Sequence, residues 1–414
     1  MKSIYTTICI YLFVWVVLYE TPVFNQTDSL WSVYTTISLA EEGNLNIDEF
    51  QSLFPKAFHV NLVEHNQHFY NYYPYGVSLL ALPYILPINI WNSFHNKSLI
   101  QKYLNSSTVK LEKNISSSLL SISACIFFII SLRMTNSITK SLLVVFIFSF
   151  CTVIFSCISR SLWQHSGNII LYSFVLFLLT KKKNSFVLLA SIPLYFSYVV
   201  RPTSLVPIFF ISLVCIYQLR LKSFLFLGIG GSIFFIFYLV NQSLFGTMIH
   251  PYYDFGKVGS EITFKEALVG NLISPGRGLF IYSPIFLFSI YGFYLKKKFE
   301  SLSILDFAIL LIILFHWIIV SRNINWWGGH SYGYRLLSDF IPFLTFYLIY
   351  FLKYIDFRSE KIKSVFFIIF LLVSFYINLK GAMNMNTYFW NLLPNNIDKF
   401  PERNWDWKDP AFTR

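Results

Sequence analysis

The sequence predicts an all-α polytopic membrane protein, and three observations carry that prediction. Of 414 residues, 55% are hydrophobic and only 13% carry a charge, whereas soluble domains are about a quarter charged. Aromatic residues make up 20%, with 46 Phe and 27 Tyr. Apolar runs of 16 to 20 residues recur from end to end, the length a helix needs to cross ~30 Å of hydrocarbon. A water-soluble globular domain, a disordered chain and a coiled coil are excluded together.

The first run, Ser3 to Tyr19, has one basic residue before it and Glu-Thr-Pro-Val-Phe after it. No small-x-small cleavage site follows, so it reads as a retained anchor. Ten further segments follow at 115–132, 141–158, 168–180, 185–200, 203–219, 223–245, 279–295, 304–320, 336–352 and 364–380. The run 74–92 contains Pro74, Pro83 and Pro87, which disfavour one straight helix, so it reads as a broken helix dipping into the outer leaflet. About eleven transmembrane helices result.

Basic residues beside short loops mark the cytoplasmic side. Here they are Lys181-Lys182-Lys183, Lys296-Lys297-Lys298, the group Lys353, Arg358, Lys361 and Lys363, and the pairs Arg133/Lys140 and Arg220/Lys222. All fall on one face when 74–92 does not cross, with the N-terminus cytoplasmic. Residues 1–380 then form a single transmembrane domain with large outer loops at 20–114 and 246–278, and 381–414 form a short outer tail. The net charge of +12 is a topology signal on this reading and calls for no nucleic acid. The five cysteines (Cys9, Cys125, Cys151, Cys157, Cys215) lie in apolar segments and imply no disulfide framework.

Arg160, Arg201, Arg277, Arg322 and Arg335 break the charge rule, since all map to the outer side near membrane ends. A cation in the membrane region costs ~2.5–3.5 kcal/mol. Snorkelling or a local partner is the plain explanation, and Arg335 and Asp339 stand four residues apart. Five together suit an anion, because a guanidinium grips phosphate through two parallel hydrogen bonds.

The first outer loop opens on Asp28, and Leu30, Val33, Tyr34 and Ile37 follow at helical spacing. The pattern predicts an amphipathic juxtamembrane helix with Asp28 at its N-cap position and Gly43 at its end. Glu41, Glu42, Asp48 and Glu49 read as solvated loop acids.

These features resemble the GT-C superfamily of membrane glycosyltransferases, nearest to the protein O-mannosyltransferases and the lipid A aminoarabinose transferase. The matching residues are Asp28, Tyr34 and Gly43-Asn44, the entry Tyr73-Pro74-Tyr75-Gly76 and the basic Arg201-Pro202. Two loops match as well, Ser274-Pro275-Gly276-Arg277-Gly278 and Trp326-Trp327-Gly328-Gly329-His330-Ser331-Tyr332-Gly333. The resemblance covers most of the chain in span order. Two departures stand out: many relatives carry a second acid after the first, where this chain has Ser29, and His165 stands where several place an Asp.

The resemblance implies a sugar donor held through phosphate on a polyprenyl lipid, used on the outer face of the membrane. The acceptor would be a hydroxyl of a lipid, a glycan or a protein. A departing phosphate needs no general acid, unlike the leaving group of glycoside hydrolysis. One carboxylate can then suffice as base, with fixed cations stabilising the leaving group. Asp28 is the candidate base. Arg201, Arg160, Arg277, Arg322 and Arg335 are the candidate phosphate clamp, and inversion at the anomeric carbon is expected. Tyr34, His165, Trp326, Trp327, His330 and Tyr332 are candidates for holding sugar or acceptor. The Trp326-Trp327 pair beside two glycines is the preferred stacking platform.

No cofactor is required by the sequence. A divalent metal finds no support in ligand spacing, even from His59, His65 and His68 on one loop. His250 and His316 read as hydrogen-bonding histidines. The rival expectations are a transporter or flippase of lipid-linked glycans and an O-antigen ligase or polymerase. Short loops and heavy Phe, Ile and Lys usage fit a bacterial inner membrane, with the site facing outward.

Overall fold

The computed structural model describes residues 2–24, 28–56, 61–181, 183–253 and 259–414, the side chains of residues 2 and 3 excepted. Among them, the only strands form one two-stranded sheet, and helices make up the body. Six helical stretches are long and apolar enough to cross a membrane: Gly76–Phe94, Val109–Thr135, Pro202–Phe245, Ile304–Ser321, Arg335–Tyr354 and Lys361–Met383. A seventh arises if Ile138–Phe150 and Val153–Arg160, bent by 40°, count as one span. Ile4–Glu20, Gln164–Leu179 and Asn184–Val200 are apolar but shorter.

The count of eleven is therefore not borne out, and the reason is visible in the breaks. An apolar run reports composition and says nothing of where a helix stops. The run at 279–295 divides into Leu279–Tyr282, the 3₁₀ turn Pro284–Phe286 and Leu287–Phe299, with Pro284 beginning the new segment. The run at 185–200 divides at Ala190. Pro202–Phe245 has 44 residues and would rise ~66 Å as one helix, about twice the hydrocarbon thickness. Arg220, at φ 51°, interrupts it; its two helices Leu205–Leu219 and Ser223–Phe245 pack on each other and match the separate runs 203–219 and 223–245.

The run 74–92 is corrected in the other direction. Gly76–Phe94 is one continuous α-helix with Pro83 and Pro87 inside it. Its start is fixed by Gly76, where a Cβ would lie 2.4 Å from the Val199 carbonyl oxygen. Only glycine lets the two backbones approach this closely, and Tyr73, just upstream, lines one cavity with Arg201, the C-cap of Ser191–Val200.

Val109–Thr135 and Arg335–Tyr354 form the centre, with 83% and 89% of their apolar windows buried, against 22% for Gly76–Phe94, Pro202–Phe245 and Lys361–Met383. The peripheral helices expose Phe209, Tyr217, Phe224, Phe235, Phe366 and Leu372, an arrangement stable in lipid and costly in water. Lys2–Glu20 and Ile138–Phe150 pack on Val109–Thr135, and Leu287–Phe299 packs on Ile341–Tyr354.

The segment expected to be the first outer loop departs from the amphipathic surface helix. Its helix spans Ser32–Glu41, and Ser32 to Ser38 are all buried, packed on Gly76–Phe94. Gly43 does sit just past its end at φ +71°. The N-cap position is Trp31, not Asp28. The antiparallel strands Leu62–His65 and His68–Asn71 follow, joined by Asn66 and Gln67, both at positive φ. Glu41 is not a free loop acid: its carboxylate accepts from Ser98 Oγ at 2.7 Å and from the backbone N–H groups of Leu99 and Ile100. Asp48 meets His68 at 2.5 Å.

Candidate functional site

Asp28 lies just upstream of the buried Ser32–Glu41 helix, where it faces a small cavity of ≈ 40 Å³. The cavity is walled by Tyr73, Trp163, Gln164, His165, Arg201, Tyr252 and Arg335. Arg335 Nη1 donates to Asp28 Oδ2 at 2.9 Å, across 307 residues of sequence. The guanidinium lies over the Trp163 ring, 4.6 Å from its centroid. Burial would push the Asp28 carboxyl up, but the Arg335 charge and the hydrogen bonds from Tyr73 and Arg335 outweigh it. The carboxyl is held below its usual range. The Tyr73 phenol is pushed up, by burial and by the Asp28 charge.

A second layer supports the first. Arg201 Nη1 donates to Asp339 Oδ2 at 2.8 Å and to His165 Nδ1 at 2.9 Å. Arginine is a donor only, so Nδ1 of His165 accepts and its proton sits on Nε2. Ser338 Oγ lies 3.0 Å from the same Nδ1, Asn168 donates to Asp339 at 3.4 Å, and His316 Nε2 lies 3.8 Å from Asp339. Arg201 and Asp339 are both almost fully buried. The expected local pair between Arg335 and Asp339 is absent because Arg335–Phe340 is a 3₁₀ helix. At three residues per turn, positions four apart do not face each other. Each of the two instead finds a distant partner.

Three buried N–H groups on residues that line the cavity have no hydrogen-bond partner among the described residues: Gln164 Nε2, Trp163 Nε1 and Arg335 Nε. Buried donors of this kind ordinarily find an acceptor. Two guanidinium groups and three unpartnered donors around one carboxylate form an environment suited to an anion held beside a base.

Of the predicted clamp, Arg201 and Arg335 converge here and the other three do not. Arg277 is buried but satisfied by the protein itself: it donates to the carbonyls of Trp327 (2.6 Å), Gly276 (2.9 Å) and Gly329 (3.0 Å) and to Asn391 Oδ1 (2.7 Å). It is a staple between two loops and the tail, and burial lowers its pKa to about 10. Arg322 is exposed and lies over the Phe264 ring at 3.9 Å. Arg160 is fully buried, donates to the Gly381 carbonyl and faces the Tyr332 ring.

The sugar-holding candidates divide in the same way. His165 lines the cavity. Tyr34 is buried in the first-loop core, edge-on to Phe50. Trp326 and Trp327, only 1% and 6% exposed, present no open ring face. Trp326 packs on Gly270, and Trp327 Nε1 donates to Asp398 at 2.7 Å. Tyr332 is buried, with its hydroxyl on the Ile377 carbonyl. His330 meets Asp398 at 3.2 Å; this pair raises the His330 pKa and lowers that of Asp398. Through these contacts the tail is docked on the 274–278 and 326–330 loops, as Gly276 N–H to Asn404 O (3.0 Å) also attests. The expected platform is thus a structural joint, its flat faces consumed by packing.

Sequence reasoning gave no site role to Tyr252, Trp163, Gln164 or Asp339. Asp339 carried a signal, as one of few acids inside apolar segments, where an ionisable group calls for a partner. Tyr252, in the short 3₁₀ turn Pro251–Tyr253, carried none. Among the described residues no three His, Cys, Asp or Glu side chains are grouped so as to hold a metal ion; His59 lies outside those residues. No protein-family model matches the chain, and no curated protein matches it.

Proposed function

We propose that the chain is an inverting glycosyltransferase that moves a monosaccharide from a polyprenyl-phosphate donor to an acceptor hydroxyl at the outer face of the membrane. The observation that supports it is the single carboxylate, Asp28, on a cavity otherwise walled by Arg335, Arg201 and unpartnered N–H donors. In this reading Asp28 takes the acceptor proton as the acceptor oxygen attacks the anomeric carbon. The bond from that carbon to the phosphate oxygen breaks, and the phosphate leaves with the electron pair. Arg335 and Arg201, with Gln164 and Trp163, meet the charge that develops there. When phosphate enters, Arg335 exchanges Asp28 for the ligand, so the ion pair at 2.9 Å describes a resting state in which the base is masked. His165, protonated on Nε2, donates to a sugar or acceptor hydroxyl.

A cavity of ≈ 40 Å³ holds little more than water, so a sugar enters only when Tyr73 and Tyr252, with rings 5.1 Å apart, separate. The reading is tested by mass spectrometry of envelope glycans, glycoproteins and lipid A from wild-type and deletion strains. Loss of one sugar from one class of molecule in the deletion supports it and identifies the acceptor. A complete lipid-linked glycan retained inside the cell would support the flippase instead and end the proposal.

A further inference from the structure

A second, larger cavity lies toward the other end of the bundle. It has a volume of ≈ 710 Å³ and is lined where Val109–Thr135, Gln164–Leu179, Leu287–Phe299 and Ile341–Tyr354 end and Ile304–Ser321 begins. Gln164–Leu179 connects the two sites, with His165 in the Asp28 cavity and Leu179 in this one. By helix rise they are separated by ~21 Å, so the two cavities sit at opposite ends of this apolar helix.

Its charge is unbalanced. Lys296 is held by Asp306 at 2.6 Å and Lys353 by Glu300 at 2.6 Å. Arg133 and, beside it, Lys181 have no carboxylate partner among the described residues. Both lie against the Phe177 ring, at 4.9 and 5.2 Å. Three cations (Arg133, Lys296 and Lys353) and one carboxylate (Glu300) thus line the cavity, with Lys181 and Asp306 each next in sequence to a lining residue. Thr180, Asn184, Gln218 and Ser301 supply neutral donors, while Leu179, Val187 and Leu305 make part of the wall apolar. A hydrated inorganic anion has no use for the apolar wall, and an acyl chain has none for the cations.

We propose that this cavity binds the phosphate headgroup of an anionic phospholipid from the leaflet opposite the Asp28 site, with the lining Arg133 as the cation that contacts it and Lys181, beside Arg133 on the Phe177 ring, adding to the attraction. Basic pockets between membrane helices suit such headgroups, each nearby cation strengthening the attraction.

The test titrates the purified full-length protein in neutral detergent with phosphatidylglycerol, phosphatidylcholine or soluble glycerol phosphate, following the thermal unfolding midpoint. Phosphatidylglycerol is expected to raise the midpoint saturably, and phosphatidylcholine and glycerol phosphate to raise it far less. The double variant Arg133→Gln/Lys181→Gln should weaken the apparent affinity for phosphatidylglycerol by on the order of 10- to 30-fold, with the lipid-free midpoint unchanged. For the unaltered protein, 1 M salt should erase the preference between the two lipids, an arm that holds even if the variant folds poorly. Equal response to both lipids, or full selectivity in a folded double variant, overturns the proposal. A response to glycerol phosphate as strong as to the lipid overturns its lipid part and leaves a soluble phosphate ester as the ligand.

Discussion

Replacing Asp28 by Asn separates the chemical role of this side chain from its structural one. Structurally, the change removes the ion pair with Arg335 at 2.9 Å. At an effective dielectric constant of about 20, the pair's gross attraction is about 6 kcal/mol. The carboxylate is 34% exposed, so water already screens part of this, and desolvation offsets most of the remainder. A net loss of about 1 kcal/mol is expected, a shift of a few degrees at most in unfolding temperature. Chemically, loss of a positioned general base costs about 10²- to 10⁴-fold in rate, or about 3–5 kcal/mol of barrier. Transfer should therefore collapse while folded protein stays near wild-type level. The assay is sugar transfer in membranes from the deletion strain carrying wild-type or Asp28→Asn protein at matched abundance. Transfer within threefold of wild type would refute the base assignment and leave Asp28 as a structural partner of Arg335.

Asp339→Ala leaves Arg201 buried without its carboxylate and should cost about 3–5 kcal/mol, read as lost folded yield, with Asp339→Asn milder; unchanged yield for both would mean the inner pair is dispensable. Gly76→Ala forces a Cβ to within 2.4 Å of the Val199 carbonyl and should destabilise by about 1–3 kcal/mol, measured by thermal unfolding. The joint between His330 and Asp398 should depend on pH. The His330 pKa is raised in the folded state, so its contribution is full below about pH 6.5 and is lost as pH rises through the higher folded value. The Asp398 pKa is lowered, so its contribution is lost only in acid below its usual range. Proteolysis of the tail should therefore accelerate from pH 6 to pH 8 in wild type and be pH-independent over that range in His330→Gln.

The membrane class was legible in the sequence because it rests on composition, which no tertiary contact alters. Arg201 and Arg335 were legible as charges that break the basic-residue pattern, Asp28 and His165 only through the family resemblance, and the structure brings these four to one cavity. What separates Arg335 from Arg277 could not be read. Both are arginines expected on the outer side, yet four protein oxygens hold Arg277, while Arg335 retains an unpartnered Nε. That difference depends on where the 326–330 loop and the tail come to rest. Trp326 and Trp327 illustrate the same limit, because aromatic rings beside glycines serve a packed joint as well as a sugar platform. The helix count failed where Ser283-Pro284 and Ala190 break apolar runs that hydropathy joins, whereas the break at Arg220 falls between the runs 203–219 and 223–245, as expected.

The most direct test uses the lipid extract of the deletion strain, in which unused donor accumulates if the account holds. Purified protein in liposomes, given that extract and acceptor membranes, should convert the accumulated polyprenyl-phosphate sugar into free polyprenyl phosphate, followed by mass spectrometry. The Asp28→Asn protein should leave the donor intact. A deletion strain with no such donor in excess, or an extract that the wild-type protein leaves unchanged, would contradict the account.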